Sequence, residues 1–69
     1  MNDVPVEFVI FPGDGRWKLD RNNEFVAVFS DYEAALTAAE GYVEEIRRFG
    51  GIARVLVRQS DGSTSEAKH

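Results

Sequence analysis

The spacing of apolar residues changes period at Ser30 and changes back after Gly50-Gly51. Up to Phe29 the apolar residues alternate with polar ones, as on a half-buried strand. From Asp31 to Phe49 they recur every three to four residues, as on one face of a helix. A chain that switches in this way must pack a sheet against a helix, and its class is α+β. Its 69 residues hold no cysteine, so a single small domain spanning residues 1–69, without disulfide staples, is expected.

The alternating half divides into three strands. Val6, Phe8 and Ile10 alternate with Glu7, Val9 and Phe11, and Pro12-Gly13-Asp14-Gly15 then supplies turn chemistry. Trp17 and Leu19 alternate with Arg16, Lys18 and Asp20, and Asn22-Asn23 suits a two-residue hairpin, because asparagine tolerates the left-handed region. Glu24 to Phe29 forms the third strand. Ser30-Asp31-Tyr32-Glu33 has the Ser-x-x-Glu form of a capping box and predicts a helix over Asp31 to Phe49 with Ser30 as its cap. Ala35, Ala39, Tyr42, Val43, Ile46 and Phe49 make its apolar stripe, and Gly50-Gly51 its left-handed stop. Gly41 inside this helix costs about 1 kcal/mol relative to alanine, whether it admits a close neighbour or is merely tolerated. Ile52 to Arg58 follows as a β-branched strand. After the hairpin signal Ser60-Asp61-Gly62, residues 63–69 form a weak edge strand or a mobile tail. The expected architecture is an antiparallel sheet of four to five strands with one helix packed on one face, in the order β-β-β-α-β-β.

Asp14-Gly15-Arg16-Trp17, a strand ending in Val28-Phe29, the helix entry Tyr32-Glu33-Ala34-Ala35, then Gly50-Gly51 and Asp61-Gly62 together resemble a family of small bacterial domains of unknown function. That family has a DG-x-W hairpin, a Phe before a Glu-Ala helix entry, and a closing DG hairpin. The resemblance runs from about Val6 to Gly62. It implies this fold and a bacterial cytoplasmic setting, and it brings no activity and no site residues.

Catalytic chemistry finds little footing in the sequence. A nucleophile–base pair needs a histidine in reach, and the single histidine is His69, the final residue. No Asp-x-Asp-x-Asp loop or paired His-Glu arrangement offers metal ligands. Asp14 and Asp61 each precede glycine and read as turn formers. Glu40, Glu44 and Glu45 read as a solvated helix face. Gly13-Asp14-Gly15 joins strand to strand, whereas a phosphate-cradling loop opens a helix. Trp17 is expected in the core, with ligand stacking as its alternative role. The expectation is therefore no catalytic residue, no cofactor, no metal site and no enzyme activity.

Both faces of the three-stranded meander carry apolar side chains, and one helix covers one face. If Asn22-Asn23 is a two-residue turn, Val26 and Val28 join Trp17 and Leu19, and the other face holds Val9, Phe11, Phe25, Ala27 and Phe29. A three-residue loop exchanges the two third-strand sets. Val9, Phe11, Arg16, Lys18, Phe25 and Phe29 are the candidate interaction residues. A face of this kind suits a homodimer or a protein partner. The alternative is single-stranded nucleic acid stacked on Phe11 and other aromatics, with Arg16, Lys18, Arg54 and Arg58 near its backbone. Strand-rich DNA-binding arms of recombinases share a Gly-x-Trp strand followed by Phe and a capped helix. The formal net charge of −4 disfavours that reading. No apolar run reaches the ~18 residues of a membrane span, so a soluble cytoplasmic protein is expected.

Overall fold

Two hairpin turns set the first half of the molecule, seen in a computed structural model that describes residues 4–67. Asp14 and Gly15 both have positive φ (55° and 73°), as do Asn22 and Asn23 (50° and 71°). Two consecutive positive φ values match the right-handed twist of the flanking strands. The turns join β1 (Val6–Gly13), β2 (Arg16–Arg21) and β3 (Glu24–Phe29) into an antiparallel meander. Asn22 also ties the second turn to β1: its N–H donates to the Glu7 carbonyl at 2.8 Å. Its side-chain Oδ1 accepts from the Glu7 N–H at 2.9 Å.

The helix α1 (Tyr32–Arg48) starts one residue later than expected, and its cap is Asp31 rather than Ser30. Asp31 Oδ1 accepts the Ala34 N–H at 2.8 Å. Aspartate caps as well as serine does, and the Ser-x-x-Glu pattern hid the equally good acceptor one position on. At the far end Gly50 N–H donates to Arg47 O and Gly51 N–H to Ile46 O, the paired bonds of a Schellman stop. The buried stripe is Ala35, Leu36, Ala39 and Val43. Phe49, expected within it, stands 80% exposed past the last turn.

After α1 the chain forms β4 (Ala53–Arg58) and β5 (Thr64–Glu66), and the sheet order is β3-β2-β1-β4-β5. The sheet is mixed, not antiparallel throughout, because β4 runs parallel to β1. β1 and β3 point the same way, and a helix that returns the chain across the sheet delivers the next strand in that direction too. β1 is thereby central, hydrogen-bonded on both sides. Val6 N–H donates toward β4, to Ile52 O at 2.9 Å, so the nitrogen of Pro12 faces that side as well. There it lies past the last β1–β4 pair, Ile10 with Val57, where a missing donor breaks no ladder bond. β5 pairs antiparallel with β4. Residues 68–69, including His69, lie outside the described residues.

The core lies between α1 and one face of the sheet. Phe8, Ile10 and Leu19 are fully buried against Ala35, Leu36, Ala39, Val43 and Ala53. Each large side chain contributes about 2 kcal/mol by leaving water. β3 joins this face through an irregularity. Arg21 pairs with Glu24 and Asp20 with Phe25, but Leu19 then pairs with Ala27, so Val26 is an inserted bulge residue. A bulge reverses the alternation beyond it. Phe29, expected on the uncovered face, therefore pairs with Trp17 and packs against the core, and Val28 turns outward.

Candidate functional site

The face of the sheet opposite α1 is built by alternation along four strands and completed by β5. Glu7, Val9 and Phe11 come from β1, Arg16, Lys18 and Asp20 from β2, and Arg54, Leu56 and Arg58 from β4. β3 adds Phe25 and Val28, 63% and 41% exposed. Among the described residues no layer covers this face.

Register sorts these side chains into two rows across the strands. One row is Glu66, Leu56, Val9, Asp20 and Phe25, each paired with the next. The neighbouring row is Thr64, Arg58, Phe11, Lys18 and Val28. The charges of the first row are both acidic, and those of the second both basic. Apolar groups lie between them: Val9 is closed in, only 7% exposed, while Phe11 is half-buried beneath Arg58. The Arg58 guanidinium stands 5.5 Å from the centre of the Phe11 ring, within cation–π range.

Two ion pairs hold the ends of the face. Arg54 grips Glu7 across the parallel β1–β4 pair, through Nε at 3.0 Å and through Nη2. The hydrogen bond to Glu7 and its charge raise the Arg54 pKa further above its ordinary value, so the guanidinium stays charged at any working pH. At the other end Lys18 Nζ lies 3.8 Å from Asp14, whose side chain is 93% exposed. A solvated pair of that kind contributes little and leaves Lys18 free to reorient. Glu33, Glu44 and Glu45 lie exposed on α1, while four of the chain's eight Lys and Arg are on the open face. With Glu7, Asp20 and Glu66 set against these four cations the open face is close to neutral, and the net charge of −4 is carried by the rest of the chain.

Five of the six expected interaction residues share this face: Val9, Phe11, Arg16, Lys18 and Phe25. Phe29 does not. Sequence reasoning missed Leu56, and placed Val28 here only for a three-residue loop at Asn22-Asn23. The bulge at Val26 has no sequence mark that would have moved Val28 outward, and Leu56 joins Val9 only through parallel pairing. Trp17 is on the helix side, edge-on to Tyr32 with ring centres 5.1 Å apart, and one flank of it lines a shallow cleft with Gln59 and Ser65. Asp14 and Asp61 both sit in turns. Asp61 accepts from the Ser63 N–H at 2.9 Å and the Ser63 hydroxyl at 2.7 Å, bonds that lower its pKa. Among the described residues no three His, Cys, Asp or Glu side chains converge as a metal site requires. No helix among the described residues is long and apolar enough to cross a membrane. The chain matches no family model, no curated protein and no solved structure.

Proposed function

We propose that this chain is a non-catalytic interaction module that pairs with a second copy of itself through the open face of its sheet. The observation that carries this reading is a face that α1 leaves bare, with Leu56, Val9 and Phe11 adjoining at its centre and Phe25 and Val28 exposed on its β3 edge beyond Asp20 and Lys18. An uncovered face that exposes large apolar side chains interleaved with charges is a candidate binding surface. A second copy fits because the face carries both signs of charge, which suits it to its own image. Sheets stack face to face about 10 Å apart, and strands lie about 4.8 Å apart, so five strands present a face on the order of 500 Å². That is below the usual ~800 Å² per partner and points to reversible pairing rather than an obligate dimer. Equilibrium sedimentation over a wide concentration range tests it. The expected mass is twice that of one chain at high concentration, and Phe25→Asp is expected to stay at the mass of one chain while keeping its fold. A wild-type chain that stays single at millimolar concentration overturns the reading.

A second reading rests on Arg58 over Phe11 beside Lys18, an aromatic ring flanked by cations of the kind on which single-stranded nucleic acid stacks. Its test is oligonucleotide binding that weakens steeply with salt. Membership of the small bacterial family, with its cytoplasmic setting, is likewise a proposal, supported by Asp14-Gly15-Arg16-Trp17 and Asp61-Gly62.

A further inference from the structure

From the charge pattern of the open face we infer how two copies would stack, an inference that rests on the self-pairing reading. The two-fold axis lies in the interface and runs across the strands, so that facing strands are antiparallel and Asp20 of each copy meets Lys18 of the other.

Two sheets stacked by a two-fold axis keep that axis between them, in one of two simple directions. An axis along the strands preserves position along each strand and reverses strand order. The basic row then lies over the basic row of the second copy, which puts Lys18 against Arg58, and the acidic row lies over its own image, which puts Asp20 over Leu56. An axis across the strands preserves strand order and reverses position, so each row lies over the other kind. Val9 then faces Phe11 of the second copy, Phe25 faces Val28, and Asp20 faces Lys18. Each contact occurs twice, because a two-fold interface is isologous. Opposed like charges with water excluded are costly, whereas the second arrangement opposes no like charges and pairs Asp20 with Lys18 twice, with Val9 on Phe11 and Phe25 on Val28, at the cost of setting Arg58 over Leu56. The order of residues along the two rows selects it. Lys18 is available for this exchange because Asp14, its own partner, is nearly fully solvated.

Charge exchange tests the axis independently of the dimer itself. Sedimentation of the wild type first establishes whether pairing occurs; a single-chain mass removes the underlying reading and this inference with it. Given a dimer, Lys18→Glu and Asp20→Lys alone are each expected to weaken it about tenfold or more, since each reverses two contacts. The double variant K18E/D20K restores both pairs within one sequence and is expected to return to within a few-fold of wild type. A mixture of the two single variants is expected to form the heterodimer in preference to either homodimer. An axis along the strands gives a different result: Lys18→Glu then faces Arg58 and strengthens the dimer. That outcome, or a double variant as weak as the singles with each variant's circular dichroism unchanged, overturns the inference. Wild-type binding of single-stranded oligonucleotide that competes with dimer formation would assign the face to nucleic acid instead.

Discussion

Asp31 and Ser30 are adjacent and both capable of capping a helix, yet only Asp31 reaches the Ala34 N–H. Asp31→Ala is therefore expected to cost about 1 kcal/mol, and Ser30→Ala no more than a few tenths, in denaturant midpoint. Gly41 and Gly51 show how differently two glycines behave. A Cβ at Gly41 would meet nothing within 4 Å, whereas at Gly51 it would lie 2.6 Å from Ile46 Cγ2 and 3.2 Å from the Ile46 carbonyl oxygen. Gly41→Ala should stabilise by about 1 kcal/mol through helix propensity, and Gly51→Ala should destabilise, both read from thermal melts. The sequence shows both glycines but not their surroundings, so neither sign could be assigned in advance. Asp61 offers a pH signature. Its bonds from Ser63 favour the ionised form only in the folded turn, so its folded pKa is below its unfolded one. Their contribution is complete above the unfolded pKa and is lost as pH falls through the folded value. An NMR titration should place Asp61 below the ordinary carboxylate range, and Ser63→Ala should move it upward.

At the scale of elements, the turns were legible and the bulge was not. Asp14-Gly15, Asn22-Asn23 and Asp61-Gly62 announce positive φ by residue type, and five of these six positions adopt it. The bulge at Val26 leaves no such mark, because valine suits both a regular strand and an insertion. It reassigns Ala27, Val28 and Phe29 to the opposite faces from those a two-residue turn alone implies. The gain is packing: Val26, Ala27 and Phe29 all turn toward the helix side, which a regular alternation does not permit. Asn22 fixes the register of this hairpin by its backbone conformation and by its side-chain bond to Glu7. The two contributions can be separated. Asn22→Gly keeps the positive φ and loses only the side-chain acceptor, at a cost of about 1 kcal/mol. Asn22→Ala loses the acceptor and also strains the backbone, for about 2 kcal/mol in all. Equal urea midpoints for the two variants would show that the backbone conformation contributes nothing.

Across the whole molecule the parallel placement of β4 decides what the open face contains. Local hairpin signals fix β1–β2, β2–β3 and β4–β5, but nothing local says which strand β4 joins. Beside β1, it brings Leu56 next to Val9 and Arg58 over Phe11, and the acidic and basic rows exist only because of that register. A face assembled in this way couples folding to association, since only the folded chain presents it. The coupling can be measured. If the folded chain pairs and the unfolded chain does not, mass action stabilises the fold as protein concentration rises. Pairing also depletes the free partner, so about a hundredfold excess over Kd gives about 1.5 kcal/mol per chain. For a domain of this size that raises Tm by on the order of 10 °C. Wild-type Tm is therefore expected to climb with concentration, while Phe25→Asp melts at one temperature throughout. The K18E/D20K double variant should climb like wild type, and the two single variants should climb only at higher concentration. A wild-type Tm that ignores concentration while the mass doubles would mean that the unfolded chain associates as strongly as the folded one, so that pairing does not need a face only the folded chain presents.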